Sequence, residues 1–394
     1  MTDLLFFSLF FLAIAIGWVL GRRSLGKSVA DDYFAGEQAR NKADSSNTLG
    51  ILADELPSDA TQTHRRMALA AQLRLRGEVD SAVKVHRELL ETEALPRRDH
   101  HQIQLELAKD FISAGLLDRA EQLLLELVKD GDEQSNAARH QLLDIYEAER
   151  DWNRAIHTAE ALVSAETTSA TPADTEFKSA MLIAKRLAHY ACELGEEKQR
   201  KEDLESARDL FRKALLYDSK CVRASLMLAQ LELRVNRVDQ AIEVLQQVRN
   251  QDPDYVPETV DMLTQCYRAL GDENALKDYL MDCLAQHPTA GLVCAIAREI
   301  KIKEGSRAAT EFLSKQLLQR PSLQGLSQLI QWQQEEHGTA LSAELEVLEV
   351  LANRLATAGP NYRCGHCGFA GKQLHWHCPG CKRWGSIKAI DSAA

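Results

Sequence analysis

The middle of the chain repeats a short segment in which a turn-forming or polar residue is followed, a few positions later, by alanine. The first copy reads Gly77-Glu-Val-Asp-Ser-Ala82, and the closing alanines of all copies are Ala82, Ala120, Ala155, Ala207, Ala241, Ala275 and Ala309. From Ala82 to Ala275 the successive spacings are 38, 35, 52, 34 and 34 residues. A period of about 34 residues indicates an array of helical hairpins, because two antiparallel helices and a turn fill that length.

Prolines mark the same period independently. Pro253, Pro288 and Pro321 are 35 and 33 residues apart, and each is placed to close the second helix of a repeat. Two landmarks that agree disfavour the competing interpretation, an ordinary helical bundle whose alanines recur by chance. The pattern resembles that of tetratricopeptide repeats. We therefore predict an all-α superhelix with an extended concave surface that binds peptides, helices or folded partners.

The spacing of 52 residues between Ala155 and Ala207 predicts an insertion in the array. We expect it either around Ser164 to Asp174, a stretch rich in Thr, Ser and Ala, or around Gly195 to Arg200. The amphipathic stretch Leu341 to Leu355 is expected to form a helix that caps the last repeat.

Composition agrees with an all-α body. The 394 residues are 45% apolar but only 6% aromatic, with few prolines and glycines, as in packed helices. The formal charge of -11 is uneven, because residues 1–30 carry +2 and residues 358–394 carry +4, which leaves -17 for residues 31–357. An acidic body of this kind repels phosphate backbones, so no nucleic acid is expected as a partner.

The first residues predict a membrane anchor. Residues 4–21 carry no charge and are just numerous enough to cross a bilayer as a helix. A basic cluster at residues 22–27 follows this apolar run, whereas in a cleaved signal peptide, the competing interpretation, basic residues precede it. The positive-inside rule then keeps the cluster and all that follows in the cytoplasm. We expect a single-pass anchor over residues 1–21, a juxtamembrane linker over residues 22–60, and the repeats over residues 61–357.

The last residues carry two CxxC pairs separated by ten residues, namely Cys364 with Cys367 and Cys378 with Cys381. This double spacing is typical of two knuckles whose thiolates complete one tetrahedral metal site. A domain over residues 358–394 also needs such a staple, because it is too small to bury a stable core. Zinc and iron both accept four thiolates, so the spacing leaves the metal open. Four protein ligands leave no position for substrate, which makes the site structural or redox-active rather than hydrolytic.

Other side chains near the knuckles are not expected to be ligands. The four sulfurs suffice without the histidines of this segment, which are His366, His375 and His377. The basic residues either dock the domain on the acidic body or keep it soluble; they are Lys372, Lys382, Arg383 and Lys388.

Five further cysteines are scattered through helical sequence, where a free cysteine is usually a small buried apolar residue in a reducing compartment. They are Cys192, Cys221, Cys266, Cys283 and Cys294. No catalytic constellation is evident, since the sequence shows neither a phosphate-binding glycine loop nor a nucleophile elbow. His100 and His101 lie in a charged stretch and are expected to be solvated rather than catalytic. We therefore predict that the chain is not an enzyme.

The order of these parts resembles the lipopolysaccharide assembly protein B family of Gram-negative inner membranes. The resemblance rests on the anchor, on Arg76–Leu90 and Ala114–Glu121 in the repeats, and on the tail segments Tyr362–Phe369 and Trp376–Cys381. It implies a rubredoxin-like tail domain packed on the repeats.

By the same resemblance, the metal ligands would be Cys364, Cys367, Cys378 and Cys381. The family's role implies a scaffold at the inner membrane that restrains lipopolysaccharide synthesis by presenting the deacetylase LpxC to the membrane protease FtsH. An anchored binding surface suits that task, because it raises the local concentration of the substrate near the protease.

Two other functions remain open at the level of sequence. The first is electron transfer through an iron-loaded knuckle domain. The second is a general scaffold that holds several envelope-assembly proteins together, and it shares every sequence feature with the adaptor. A homo-oligomer is also compatible with the sequence.

Overall fold

The computed structural model describes most of the chain beyond residue 59, and the chain divides into two compact units at Gln141 and Leu142. The described residues are 60–91, 95–131, 133–169, 175–337, 347–348, 350–352, 354–355 and 359–390. The predicted anchor over residues 1–21 and nearly all of the predicted linker lie outside these ranges. Within the described ranges, no helix has both the length and the hydropathy that crossing a bilayer requires.

The first unit is built from helical hairpins. Its helices are α1 (Ala60–Leu75), α2 (Val79–Leu90), α3 (Arg97–Ser113) and α4 (Leu117–Asp130), and α5 (Ser135–Glu149) contains the division between the units. Apolar residues three and four positions apart face inward on α1, α2 and α3, and they form one core of Ala70, Leu73, Ala82, Val85, Leu89 and Ile103.

The second unit continues the pattern with longer helices at its start. Its helices are α6 (Trp152–Ser169), α7 (Thr175–Arg200), α8 (Leu204–Tyr217), α9 (Val222–Arg234), α10 (Val238–Gln251), α11 (Val256–Leu270), α12 (Glu273–Gln286), α13 (Ala290–Glu304), α14 (Ser306–Gln319) and α15 (Leu323–His337), with a 3₁₀ turn at Pro253–Tyr255. A continuous apolar core runs from Ala229 on α9 to Trp332 on α15. Stacked repeats bury such a core because one hairpin alone leaves its apolar face exposed.

The repeated sequence segment is confirmed as the turn between the two helices of each pair. Its first residue has a positive φ in every copy: Gly77, Gly115, Arg150, Glu202, Asn236, Gly271 and Gly305, with φ from 58° to 95°. The turn after α5 shows the hydrogen bonding, because the Asp151 N–H donates to the Tyr146 carbonyl at 2.9 Å, as expected for a left-handed helix cap. In three of these turns, at Arg150, Glu202 and Asn236, a residue with a Cβ therefore adopts a conformation that is easier for glycine.

The closing alanines lie where the two helices of a pair cross. All of them are fully buried except Ala275, which belongs to a looser copy and is partly buried. A larger side chain at the buried positions would force the helices apart.

The insertion lengthens two helices. Helix α6 runs on to Ser169, and α7 begins at Thr175 and continues unbroken through Gly195 to Arg200. Residues 170–174 lie outside the described ranges. Gly195 allows α7 to approach α8, because a Cβ there would lie 2.5 Å from the ring of the fully buried Phe211.

Neighbouring repeats of the second unit are also joined by ion pairs between exposed side chains. Arg234 contacts Glu202 at 2.6 Å, and Arg268 contacts Glu299 at 3.1 Å. Exposed pairs of this kind each contribute about 0.2 to 1 kcal/mol. Their contribution to the stability of the stacked repeats is therefore small.

The predicted capping helix over residues 341–355 is described in part. The described residues between Val347 and Leu355 are helical, and Ala352 is buried. The larger apolar side chains there are about half exposed, namely Val347, Leu348, Val350, Leu351 and Leu355.

The metal domain, as we call residues 359–390, is a small three-stranded antiparallel sheet. Strand β1 (Tyr362–Cys364) is central, with β2 (Ala370–Gly371) on one side and β3 (Ile387–Ala389) on the other. Its buried core consists of Cys364, Cys378 and Ile387. A core of this size cannot stabilise a domain without a further constraint.

Candidate metal centre and its docking surface

The two knuckles have the same backbone structure. In the first, the Gly368 N–H donates to the Cys364 carbonyl at 3.1 Å; in the second, the Lys382 N–H donates to the Cys378 carbonyl at 2.9 Å. Both residues after the second cysteine are left-handed, with φ of 76° at Gly368 and 57° at Lys382. The first knuckle joins β1 to β2 and the second lies between β2 and β3, so the sheet brings the two CxxC pairs together.

The four sulfur atoms fit a single metal ion. They all lie within 4.8 Å of one another, with Cys364 Sγ 3.7 Å from Cys381 Sγ and Cys367 Sγ 3.6 Å from Cys378 Sγ. A tetrahedral site with metal–sulfur bonds of about 2.3 Å places its sulfurs about 3.8 Å apart. The donor set and its spacing therefore suit zinc or iron, and one metal ion can be held here.

Hydrogen bonds favour the ionised form of Cys364. The Ser386 hydroxyl oxygen lies within hydrogen-bond distance of Cys364 Sγ, at 3.3 Å, and the His366 N–H donates to this sulfur at 3.4 Å. Burial raises the pKa of the Cys364 thiol, but these bonds and the Cys367 N–H outweigh burial and lower the pKa to about 5. A thiolate is the form that binds metal.

The centre is open to solvent on one side. Cys364 and Cys378 are buried and Cys381 is half-buried, whereas Cys367 is exposed. Among the described residues, the only group of ligand atoms close enough to share an ion is made of these sulfurs. The histidines contact other groups, since the His377 ring stacks on Trp384 and the His375 ring meets Phe369 edge-on.

The metal domain docks on the second unit through Trp384. Its ring stacks on His189 of α7 at 5.1 Å and meets Tyr190 edge-on at 6.1 Å. The Trp384 Nε1–H donates to Glu147 Oε2 at 3.3 Å, and the Arg223 guanidinium lies 5.8 Å from the ring. Trp384 thus occupies an aromatic and charged recess of the helices.

The pKa values of two ionisable groups in this recess are shifted by their surroundings. Burial lowers the pKa of His189 to about 3, with a smaller contribution from the Arg223 guanidinium and the neighbouring His377, so the His189 ring is neutral near pH 7. Burial raises the pKa of Glu147, but the Tyr190 hydroxyl, Arg186 and Trp384 outweigh burial and hold this pKa below its usual value. A neutral ring and a charged carboxylate therefore face Trp384.

A second set of contacts lies around Tyr255. Its ring stacks on Trp376 at 5.5 Å, and its hydroxyl donates to the Ile387 carbonyl at 2.6 Å. Trp376 also packs beside the buried Val222 and Val248. The hydroxyl of Tyr362 donates to Glu258 at 2.7 Å. These contacts hold both the sheet and the second knuckle against α9, α10 and α11.

Lys388 provides the ionic part of the docking. Its ammonium lies 2.7 Å from Asp252 and 2.8 Å from Asp254. Burial lowers the pKa of Lys388, but its bonds to both carboxylates outweigh burial and raise that pKa. Arg363 lies directly opposite Lys388 across the sheet, and such like-charge neighbours repel each other unless carboxylates offset them. Of the two roles predicted for the basic residues, Lys388 thus serves docking, whereas Lys372, Lys382 and Arg383 are exposed.

The second knuckle holds both docking tryptophans. Trp376 precedes Cys378 by two residues and Trp384 follows Cys381 by three. The Gly385 N–H donates to the Trp376 carbonyl at 2.7 Å and closes this loop. The sequence analysis assigned no role to these tryptophans. Their size could have indicated a docking surface, because a domain of this size cannot bury two indole rings by itself.

The prediction that His100 and His101 are solvated is wrong for His101. That side chain is buried, with Nε2 3.3 Å from the Asp130 carboxylate. The helical period of α3 places it on the same face as the buried Leu105 and Ala108, and this outweighs the polarity of its neighbours in sequence.

A buried His–Asp pair was also missed. His86 Nδ1 lies 2.5 Å from Asp110 Oδ2, and Arg74 donates to the other oxygen of Asp110 at 2.7 Å. Both His86 and Asp110 are completely buried, so this pair joins α1, α2 and α3 rather than meeting a substrate. The five scattered cysteines are all buried, as predicted.

Comparison with known proteins supports both parts of this architecture. A family model described as tetratricopeptide repeat matches residues 200–271, and one described as rubredoxin metal binding domain matches residues 362–389. Among solved structures, a tetratricopeptide repeat protein from Parabacteroides merdae is 13% identical and covers 75% of this chain and 100% of its own, with a TM-score of 0.34. That overlap is too small to add to the fold assignment.

Curated relatives match over nearly the full length. The lipopolysaccharide assembly protein B of Escherichia coli strain K12 is 31% identical over 99% of this chain and 98% of its own. The protein of the same name from Haemophilus influenzae strain Rd is 30% identical over 100% and 99%, respectively. The resemblance seen in the motifs is therefore confirmed, and the chain belongs to the lipopolysaccharide assembly protein B family.

Proposed function

We propose that this protein is a scaffold, anchored in the inner membrane by residues 1–21, that works in lipopolysaccharide assembly on the cytoplasmic side. Residues 61–357 form its partner-binding repeats, and residues 358–394 form a domain in which Cys364, Cys367, Cys378 and Cys381 bind one metal ion. As an adaptor, it presents LpxC to FtsH and thereby limits lipopolysaccharide synthesis.

The observation that carries this proposal is the docked metal domain. Trp384 and Trp376 insert among helices that lie far away in sequence, and Lys388 adds ionic contacts. A hydrolytic site needs an open coordination position, whereas four sulfurs fill a tetrahedral one. The metal therefore stabilises a shaped surface made jointly by the metal domain and the repeats, and such a surface suits partner binding.

The experiment substitutes the predicted metal ligands, in cells whose only copy of this protein is the variant. We expect Cys364→Ala with Cys367→Ala to raise the level of LpxC severalfold, because the undocked scaffold no longer delivers it to the protease. Deletion of residues 1–21 should have the same effect. The matched control is Cys283→Ala with Cys294→Ala, two buried cysteines of the repeats, which should leave LpxC unchanged. An unchanged LpxC level in the ligand variant and in the deletion would refute the adaptor role.

Electron transfer is a second candidate, favoured by one specific observation. Cys367 is exposed, so one edge of the centre reaches solvent, as exchange of electrons with a partner requires. Purified protein that carries iron and bleaches reversibly on reduction would support this function. Protein that contains zinc alone would exclude it, because zinc has no redox chemistry. A general assembly scaffold shares every feature of the adaptor and predicts further partners besides LpxC and FtsH.

A further inference from the structure

The metal domain carries cations without any acidic residue. Residues 359–390 contain five lysines and arginines and no Asp or Glu. Docking uses one of them, since Lys388 contacts Asp252 and Asp254. The remaining four are exposed, and we call them the four exposed cations: Arg363, Lys372, Lys382 and Arg383.

These four cations have no acidic residue within their own domain, which sets them apart from the cations of the repeats. In the second unit some basic residues pair with a carboxylate of a neighbouring repeat, as Arg234 and Arg249 do, whereas others, such as Arg307 and Lys315, make no ion pair among the described residues but belong to an acidic body. Among the described residues, the four exposed cations have no carboxylate within ion-pair distance. In an acidic chain with many carboxylates to choose from, this domain keeps a local excess of positive charge.

The backbone at Lys382 shows that a side chain is kept there at a cost. The equivalent residue of the first knuckle is Gly368, which makes the same hydrogen bond in the same left-handed conformation. Glycine adopts that conformation freely, whereas a residue with a Cβ is disfavoured in it. The turn itself therefore does not require lysine at this position.

The arrangement suits a diffuse negative surface rather than a single anion. The four exposed cations are spread over β1, the end of β2 and the second knuckle. Among the described residues, none of the buried polar side-chain atoms that lack a hydrogen bond lies in the metal domain. A specific anion site would place such a donor beside its ligand. Long, solvated side chains instead attract a surface of many charges.

We propose that the four exposed cations bind the anionic phospholipid headgroups of the membrane in which this protein is anchored. The inference rests on the proposed anchor, which keeps the domain close to the bilayer and raises its effective concentration there. Clusters of at least four lysines and arginines near a bilayer are known to favour anionic lipids. The charge of the repeats does not prevent this contact, because salt screens exposed charges beyond about 8 Å.

The test measures how fast individual lysines of the full-length protein react with an acetylating reagent. The protein is placed in lipid discs of phosphatidylcholine alone and in discs rich in phosphatidylglycerol, and acetylation is followed by mass spectrometry. We expect Lys372 and Lys382 to react about fivefold more slowly in the anionic discs. Lys129, an exposed lysine of the first unit, is the internal reference and should react equally in both. High salt should remove the difference.

Two variants with equal charge change test the patch without removing a reporter lysine. Arg363→Glu with Arg383→Glu should abolish most of the slowing at Lys372 and Lys382. Arg307→Glu with Lys315→Glu, two exposed residues of α14, should leave it intact. The metal content of each variant is measured as well, because the cations have a competing role in offsetting the negative charge of four metal-bound thiolates.

The outcomes separate the lipid contact from the anchor. Association with both kinds of disc but equal acetylation in both would overturn the lipid contact and leave the anchor standing; the partner would then be an acidic protein surface. The lipid contact would also be overturned if acetylation were slower in the anionic discs but the Arg363→Glu, Arg383→Glu variant showed the same slowing as the wild type. Loss of metal in the Arg363 and Arg383 variant, without slowing in the wild type, would assign these cations to the metal centre instead.

Discussion

The repeats and the metal domain are stabilised in opposite ways. From α9 to α15, the repeats bury a continuous apolar core to which many side chains of successive hairpins contribute. In the metal domain, two of the three core residues are cysteines of the candidate centre, and its two docking tryptophans pack against the helices. The stability of one region is therefore spread over many side chains, whereas the other has little core of its own beyond the cysteines and the helices on which it packs.

The largest expected effect is the loss of a ligand. Cys378→Ser should abolish metal binding and unfold the metal domain, because structural zinc contributes about 10 to 16 kcal/mol in small domains. Limited proteolysis should then cleave the tail, while far-UV circular dichroism still reports folded helices. Resistance of the tail to protease in this variant would show that docking alone folds the domain.

A smaller effect is expected from removing a docking ring while the metal remains. Trp384→Ala should weaken docking by about 3 kcal/mol, the low end for a tryptophan, because the aromatic ring that is lost contacts the helices but is only partly buried. Hydrogen exchange should increase around His189 on α7 with the metal content unchanged. Trp332→Ala is the control, since it removes a buried tryptophan ring from α15 in the repeats and should not affect docking.

Within the repeats, the close approach of α7 and α8 at Gly195 offers a local test. Gly195→Ala should lower the free energy of unfolding by about 1 to 3 kcal/mol, because the new Cβ would overlap the Phe211 ring. Urea denaturation measures this loss. Adding Phe211→Leu to Gly195→Ala should restore part of the stability, and no recovery would contradict an overlap as the cause.

The ionic contact of the metal domain predicts a pH dependence. The Lys388 hydrogen bond, against the opposing effect of burial, lowers the pKa of Asp254 below its usual 3.8. A lowered pKa means that this carboxylate stabilises docking above pH 3.8 and ceases to do so as the pH falls through the lowered value. Asp254→Asn should therefore weaken docking slightly at pH 7, and its difference from the wild type should vanish in acid. A difference that persists at low pH would exclude the ionised carboxylate as the cause.

The smallest effect should be a gain in stability. Arg150→Gly should raise the free energy of unfolding by about 0.5 kcal/mol. Glycine removes the strain of the left-handed backbone conformation, and this gain exceeds the cost of the extra entropy that glycine has in the unfolded chain. Thermal denaturation measures the change. Asn236→Gly is the matched variant in another repeat turn and should change less, since asparagine tolerates this conformation.

How much the sequence could predict depended on how local each feature is. The turn at Arg150 was found although it lacks glycine, because the segment up to Ala155 repeats a pattern contained within a few residues. The clustering of Cys364, Cys367, Cys378 and Cys381 was predicted for the same reason. The recess for Trp384 could not be found, because it combines Glu147, His189 and Arg223, whose common position depends on how successive repeats stack.

The error at His101 has the same physical origin. Its neighbours in sequence are charged, yet the helix turns this one side chain toward Asp130. A single histidine among polar residues carries no periodic signal of its own. The tryptophans beside the second knuckle are an intermediate case, since their size indicated burial by a partner but not which helices provide it.

The distance in sequence between Trp384 and Glu147 has a consequence for biosynthesis. These residues are 237 positions apart, and the metal domain leaves the ribosome after every helix that it contacts. The recess on α7 and α9 therefore stays uncovered until the tail has been made. A chain that ends before Trp384 leaves Glu147, His189 and Arg223 without this ring, so the surface shared by the metal domain and the repeats is completed only at the end of synthesis.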